Sequence, residues 1–453
     1  LQFSTIALGG VALIRKAWID ARHDSINQRL WGLTLLERNL RELEILGITE
    51  AVVLTREDLQ PQNHFRYPNF KSLKIAYRFG DSTDPFLSLR SELENENPIL
   101  ALEGHSVNDR RVLKKMLDCK SSCGVRSPVG KDPATMAVIS LGDSVLFEKN
   151  ESRPLTRMLD ASLKNARIPA LDLSNFNRHI IQLRRELDPF LLLIEDSKQL
   201  EEADYFLRMS AHKGVNDFVA KFIHPPLEFA GTKLLLNTPI APNQITIFWV
   251  LLAAITLPLF VTGHLLFGIL LAAIRGVLDG IDGKLARLTL RFSKAGDRLD
   301  HVTDTIYEAA WCLAIGWYFM QGDLQSTAAT FTAIFFVSYL VERIVPGVFK
   351  KIHGREIYDY TEIDKFLRVI GSRANNNIWV LMIGIILGFA RETYYAVSLW
   401  MLATASWHTL RLIWVTWKTN IRRSTVISNS KNQVTKTKSQ INPSFQISNK
   451  MEL

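Results

Sequence analysis

Apolar and polar positions divide the chain into two unlike parts. Ile245–Val261 is apolar apart from two threonines, and about 20 such residues span a bilayer as a helix. Further apolar runs at 264–288, 301–321, 326–348, 376–391 and 394–417 predict an all-α, six-helix transmembrane domain over 244–417. Residues 1–200 read differently. Short strand-like runs lie at Thr5–Ala7, Ala51–Leu54, Leu73–Ala76, Ile99–Leu102, Ala137–Leu141 and Val145–Phe147. Stretches of helical periodicity accompany them at 31–46, 84–93, 109–118 and 175–186. That alternation predicts an α/β domain with a largely parallel sheet. Residues 201–243 read as a linker and juxtamembrane helix. The last stretch, 418–453, is rich in Ser, Asn, Gln, Lys and Thr and reads as a disordered basic tail.

Charge settles the orientation. The formal net charge is +9, which in a soluble protein points to nucleic acid. Here the basic residues gather at helix ends and in the tail. That placement suits an anionic membrane surface, and no nucleic-acid partner is expected. The 289–300 connection carries Arg291, Lys294 and Arg298, and the 349–375 connection carries Lys350, Lys351, Arg355, Lys365, Arg368 and Arg373. The opposite connections, near Gly263, Gln321–Asp323 and Arg391–Glu392, are short and poor in Lys and Arg. The positive-inside rule then predicts a multi-pass protein of the cell (inner) membrane, with both termini and the Asp-rich helix ends in the cytoplasm. Cys119, Cys123 and Cys312 are expected to be free thiols, since the closely spaced pair has no second pair to complete a zinc site. Arg15, Lys16 and Asp20 interrupt the first apolar stretch, which is not read as a signal peptide.

The second and third apolar runs carry charges. "LDGIDGKLARLTLRFSKAGDRLDHVTD", Leu278–Asp304, holds Asp279, Asp282, Asp300 and Asp304. A charge deep in a transmembrane helix costs about 2.5–3.5 kcal/mol. Four carboxylates would cost on the order of 10 kcal/mol, against a net fold stability of about 5–15 kcal/mol. They must sit at the interface or have cationic partners. Asp279 and Asp282 are three apart, and Asp300 and Asp304 four apart, so each pair shares a helix face. A short loop makes the two helices antiparallel neighbours, and the four carboxylates can converge at their cytoplasmic ends. Hard oxygen ligands of this kind suit Mg2+, Mn2+ or Ca2+ rather than zinc. Two such ions can clamp a pyrophosphate. Gly280, Gly283, Ala286 and Gly296 allow another helix or a flat ligand to approach the backbone closely, and Arg287 lies on the same helix.

This stretch resembles the signature of the CDP-alcohol phosphotransferases, carried here by Asp279, Gly280, Asp282, Gly283, Ala286, Arg287, Gly296, Asp300 and Asp304. "TPIAPNQIT", Thr238–Thr246, resembles the start of that family's first membrane helix. The resemblance covers about 210–417. It implies a six-helix membrane enzyme, a homodimer, in which an acceptor alcohol attacks a CDP-alcohol and releases CMP. By that resemblance Asp279, Asp282 and Asp300 hold two divalent ions, Mg2+ or Mn2+, and Asp304 contributes at the same centre. Asp304 would also be the catalytic base. Gly280, Gly283, Ala286, Arg287 and Gly296 would line the CDP site. For the acceptor, Arg343, Lys350 and Arg373 are the candidates, from a basic cluster near the fourth and fifth helices. Arg343 falls inside an apolar run, "LVERIVPG". The implied partners are a CDP-alcohol donor, a polar alcohol acceptor and membrane lipid.

The front half resembles a sugar-nucleotidyltransferase domain, that is, a nucleotidyltransferase-like (Rossmann-like) fold. The carriers are Leu33–Thr55, "PILALEGHSVNDRRVLKKML" (Pro98–Leu117) and the junction Ile194–Ile223. The layout is similar to bifunctional proteins that join an inositol-phosphate cytidylyltransferase to a di-myo-inositol phosphate phosphate synthase. The residues depart from it. A Gly-rich loop ending in a basic residue would cradle the triphosphate. The run taken for it, "IALGGVALIRK", has adjacent Gly9 and Gly10 with Arg15 displaced. His105 stands where a metal-binding Asp is expected, with Glu103 and Asp109 nearby. Nucleotidyl transfer by this domain is therefore expected to be lost or altered. The function predicted is an integral membrane transferase moving a substituted phosphate from a CDP-alcohol to an acceptor alcohol, in phospholipid or inositol-phosphodiester biosynthesis. The alternative is a non-catalytic membrane anchor that presents the front domain to a partner. A transporter would need charges across the whole bilayer, and the outer halves of these helices are apolar.

Overall fold

In Lys16–Ala21 (β1) alternate side chains go to opposite faces of a sheet. Ala17, Ile19 and Ala21 enter one core and Trp18 the other. This computed structural model describes residues 14–80, 85–93, 97–127, 134–140, 155–292 and 294–440. The chain continues through Arg29–Leu30 (β2), Leu33–Thr34 (β3), Leu35–Ile45 (α1), Glu50–Thr55 (β4), Lys74–Phe79 (β5) and Pro85–Glu92 (α2). Next come Ile99–Glu103 (β6), Ser106–Asn108 (β7), Arg110–Leu117 (α3), Cys123–Arg126 (β8), Thr135–Ile139 (β9) and Leu155–Lys164 (α4). The domain closes with Ala170–Leu171 (β10), His179–Ile180 (β11), Arg185–Glu186 (β12) and Leu191–Leu193 (β13).

Seven strands form one sheet in the order β10-β8-β9-β6-β1-β4-β5. β6, β1, β4 and β5 are mutually parallel, and β9 runs antiparallel to both its neighbours. Leu36, Leu40 and Leu43 of α1 and Val112, Leu113 and Met116 of α3 cover one face. Leu89 of α2 and Leu155, Leu159 and Leu163 of α4 cover the other. The α/β layering expected of residues 1–200 is thus present. The expected strands over 51–54, 73–76, 99–102 and 137–141 correspond to β4, β5, β6 and β9. Thr5–Ala7 and Val145–Phe147 lie outside the described residues.

Three expectations change. The strand beside β6 and β4 is Lys16–Ala21, which the hydrophobic pattern did not single out because Lys16 and Asp20 break it. The chain leaves it at Arg22, and the Gly9–Gly10 run lies outside the described residues. Second, 175–186 is not a helix but the ribbon of β11 and β12, with Arg184 in the left-handed region at φ 48° between them. Third, Cys119 and Cys123 are joined in a disulfide rather than free, Cys119 lying just past the end of α3 and Cys123 opening β8. Cys312 is a buried free thiol, as expected.

Helices Ser197–Ala211 (α5) and His224–Leu235 (α6) follow. Asp196 caps α5 in a reciprocal capping box with Gln199. Then come Pro242–Val261 (α7), Leu265–Leu288 (α8), Lys294–Met320 (α9), Thr327–His353 (α10), Glu362–Ile370 (α11), Ala374–Ile386 (α12) and Ala390–Gln440 (α13). Long helices therefore stand at all six predicted places, with the short α11 added. Among the described residues, α7 and α10 are long and apolar enough to cross a membrane. α8 and α9 carry the signature charges, and the 13 residues of α12 reach only about 20 Å. α13 runs as helix to Gln440, past the 418 boundary at which a disordered tail was expected. Its last 23 residues contain no Gly or Pro to stop it.

The chain divides into two compact units. One extends to Leu259 and takes in Phe267–Glu308; the other is Phe260–Leu266 with the chain from Ala309 onward.

Candidate active site

The first unit holds α8 and the first part of α9, and with them the signature. Asp279 and Asp282 lie one turn apart on α8. Asp282 is buried, and its Oδ2 accepts hydrogen bonds from Thr246 Oγ1 at 2.6 Å and Trp249 Nε1 at 3.0 Å, both on α7. Two donors on a neighbouring helix fix the carboxylate's orientation, as partners of a metal ligand do. Asp304, on α9, is ion-paired with Arg275 of α8. Arg275 is buried, with its guanidinium 4.4 Å from the ring of Trp249 and 4.8 Å from that of Tyr307. Tyr307 in turn accepts from Thr256 Oγ1 at 3.1 Å. An arginine held between two aromatic faces keeps its charge in an apolar setting, and here it keeps a cation on Asp304. Asp300 lies on α9 four residues before Asp304, but its side chain falls outside the described part.

The small residues serve close approaches. A Cβ on Gly280 would run into the carboxyl group of Glu228 on α6, and one on Gly296 into the side chain of Asn243 on α7. At Gly283 a Cβ would stand 3.0 Å from the Arg287 guanidinium. Arg287 Nε donates to the Ala211 carbonyl at 2.8 Å, at the end of α5. Lys284 is ion-paired with Glu228 and lies 5.1 Å from the Phe229 ring centre. Burial pushes the Glu228 carboxyl above its ordinary range, and Lys284 opposes that rise. Nearby His212 is held down to about 3 by burial, with Lys284, Arg185, Arg287 and Lys213 adding to the effect.

The donor set fits a hard divalent ion in its chemistry: carboxylate oxygens on one helix pair, one of them oriented from outside. Among the described residues no group of three ligating side chains stands close enough to hold an ion. The convergence of all four carboxylates lies outside what is described, because it needs the Asp300 side chain; among the described residues Asp304 is paired with Arg275.

The acceptor candidates lie in the second unit. Arg343 Nε donates to Tyr339 Oη at 2.8 Å, Lys350 pairs with Glu356 at 2.9 Å, and Arg373 stands 3.9 Å from Glu342. Glu342 is buried against His408 Nδ1 at 2.6 Å. Arg368 lies 4.0 Å over the Tyr358 ring.

Sequence reasoning missed Arg275, Trp249 and Glu228, and it quoted Thr246 without a role. For Arg275 the signal was present: a lone arginine in an apolar run, four residues before Asp279 and so on the same helix face. For Glu228 there was none, since its importance comes from the fold that lays α6 on Gly280.

Residues 239–407 match the family described as CDP-alcohol phosphatidyltransferase. That stretch is a CDP-alcohol phosphatidyltransferase domain. The chain is an enzyme of this class, with an α/β domain ahead of the transferase domain. Over 405 residues it is 24% identical to the bifunctional IPC transferase and DIPP synthase of Aquifex aeolicus, covering 81% of this chain and 88% of that one. Over 121 residues it is 34% identical to the archaetidylinositol phosphate synthase of Pyrococcus horikoshii, 26% of this chain and 61% of that one. Among solved structures, the inositol-1-phosphate CTP transferase from T. maritima aligns with 43% of this chain and 96% of its own, at 11% identity and a TM-score of 0.32.

In the α/β domain, the parallel strands β1 and β6 end at one sheet edge, where ligands bind in folds of this kind. That edge holds Arg22, which pairs with Asp20 at 2.7 Å, and His23, stacked on His105 with ring centres 4.2 Å apart. Glu103 accepts from Thr156 N at 2.8 Å and Oγ1 at 2.7 Å. Burial, with the Asp20 carboxylate adding to it, pushes Glu103 up to about 8. Burial pushes His105 down to about 3.

Proposed function

We propose that the chain is an integral membrane transferase that moves a substituted phosphate from a CDP-alcohol to an inositol phosphate, releasing CMP. The observation that carries this is Asp282, oriented by Thr246 and Trp249 beside the Arg275–Asp304 pair, within the matched family domain. The relatives support the acceptor: two of them are named as synthases of an inositol phosphate lipid, phosphatidylinositol phosphate and archaetidylinositol phosphate. The acceptor oxygen bonds to the β-phosphorus of the donor. The bond from that phosphorus to the oxygen bridging to CMP breaks, and CMP leaves with the electron pair. Asp304 takes the acceptor's proton, and Arg275, paired with it, holds that carboxylate in place. Asp279, Asp282 and Asp300 would hold two Mg2+ or Mn2+ ions, with Asp304 at the same centre; the ions supply charge to the pyrophosphate oxygens. Gly280, Gly283, Ala286, Arg287 and Gly296 shape the donor side, and Arg343, Lys350 and Arg373 the acceptor side.

The reading includes six membrane spans with the charged ends of α8 and α9 in the cytoplasm, and a homodimer. The α/β domain no longer transfers nucleotidyl groups in this reading. The support is the filling of its sheet edge: Arg22 is paired with Asp20, and His23 stacks on His105 beyond the ends of β1 and β6.

The test is CMP release by the full chain in lipid nanodiscs with Mg2+ or Mn2+. CDP-diacylglycerol and CDP-inositol are each paired with inositol phosphate, and Asp304→Asn is the control. CMP and a new phosphodiester that both vanish in the variant support the reading and name the donor. No product from folded protein with either donor sinks it in favour of a membrane anchor.

A further inference from the structure

α8 ends where the α/β domain begins to touch it. The last carbonyls of a helix lack donors within the helix. Leu285 O accepts from Thr289 N at 2.9 Å and Ala286 O from Arg291 N at 3.0 Å. Leu288 O has another kind of partner. It accepts from Arg38 Nη2 at 2.8 Å, and the same nitrogen donates to Leu30 O at 2.9 Å. Arg38 belongs to α1, lies 250 positions away in sequence and is 3% exposed. A guanidinium is well placed there, since the C-terminal end of a helix carries partial negative charge.

The surroundings grip the same place. Leu288 is buried with Trp31, Leu35 and Phe190 of the α/β domain. Leu290 follows in the left-handed region at φ 57°, a conformation that a branched residue keeps only where its neighbours hold it. Arg291 Nη1 donates to Tyr67 Oη at 3.2 Å, over whose ring it also lies at 4.6 Å. Arg66 Nη2 donates to Thr238 O at 2.8 Å, just ahead of α7. Asp282 is only about 9 Å up the helix axis from Leu288. A shift in the pitch or register of this last turn would move it against Thr246 and Trp249.

We propose that Arg38 is a positioning residue of the transferase: by bridging Leu30 O and Leu288 O it fixes the end of α8, and so the place of Asp279 and Asp282. The α/β domain is then kept as a clamp on the catalytic helix after its own edge has closed. The kinetic half rests on the transfer reading above; the structural half does not.

The experiment uses the full chain in nanodiscs with Arg38→Met, Arg38→Lys and Tyr67→Phe. Kinetics are followed with the donor and inositol phosphate, and amide exchange by mass spectrometry. Arg38→Met is expected to lower kcat roughly tenfold to a hundredfold with KM for the donor little changed, since small misplacements cost that much. Arg38→Lys recovers part of kcat, because an ammonium can still reach one carbonyl. Exchange at 286–292 rises in Arg38→Met, and less in Tyr67→Phe, while β1, β4 and β6 stay protected. Unchanged kcat and exchange in folded Arg38→Met overturn the proposal, as does exchange that rises throughout the α/β domain. A wild-type chain with no turnover sinks the transfer reading alone; the exchange data still decide whether Arg38 holds α8.

Discussion

The sheet edge of the α/β domain and the α7–α8–α9 cluster both bring charged groups together, and they treat them in opposite ways. At the edge one pair of opposite charges, Arg22 and Asp20, stands beside groups whose neutral forms burial favours, Glu103 and His105. Arg22 and Asp20 are neighbours in sequence and pair locally, Glu103 is held by Thr156, and His23 covers His105. In the helix cluster each charge is held by a different element. Thr246 and Trp249 reach Asp282 from α7, and Arg275 reaches across to Asp304 on α9. Partners drawn from separate elements fix direction, which a reacting centre needs. The sheet's two cores do not depend on what lies at its edge.

The largest test of the contrast is Asp304→Asn, expected to cut CMP release by about 10²–10⁴-fold, the range for a positioned proton acceptor. The assay is initial-rate CMP formation. Next is Arg275→Met, which strands a carboxylate beside Trp249 and Tyr307. Removing one member of a fully buried pair costs about 3–5 kcal/mol; Asp304 is partly exposed, so the cost should be smaller and the thermal midpoint should fall moderately. The double variant Arg275→Met with Asp304→Asn should be more stable than Arg275→Met alone. If it is less stable, the two side chains are not coupled.

A smaller effect separates the front edge by pH. Folded Glu103 holds its proton to about pH 8, whereas an unfolded glutamate releases it near pH 4.3. The folded state binds the extra proton between those values, so this group's contribution is full at low pH and is lost as pH rises through about 8. Between about pH 7.5 and 8, above the range of an ordinary histidine, stability should fall with pH, by less than about 1.4 kcal/mol per unit as the group's own titration begins. Glu103→Gln should flatten that slope in urea titrations of the full chain followed by amide exchange in β1 and β6. A slope unchanged in the variant would place its cause elsewhere. Smallest of all, His105→Ala should cost about 0.5–1.5 kcal/mol of α/β-domain stability from lost stacking and leave CMP release unchanged. A fall in turnover there would mean that the edge still serves the reaction.

The legible parts of the sequence were those written in local periodicity and spacing. α1, α3, β4 and β6 follow from apolar repeats, and the signature from nine residues at fixed intervals. β1 was not legible because a strand flanked by parallel neighbours can carry Lys16 and Asp20 at its ends, where its hydrophobic run looks broken. The ribbon at 179–186 mimics a helical repeat, and only the left-handed turn at Arg184 distinguishes it. In the helix cluster the carboxylates were readable and their partners were not. Trp249 and Thr246 meet Asp282 from positions more than 30 residues away, and no spacing rule connects them.

α13 acts as a ruler. From Lys418 to Gln440 it adds 23 residues to the helix, about 35 Å of axis. Electrostatic attraction to a charged surface fades within roughly 8 Å in physiological salt. If the bilayer ends near Trp417, only the first turns, with Lys418, Arg422 and Arg423, lie within reach of anionic headgroups. Lys431, Lys436 and Lys438 come about 20–30 Å of helix axis beyond Lys418, so the basic residues of the rod fall into two groups separated along it.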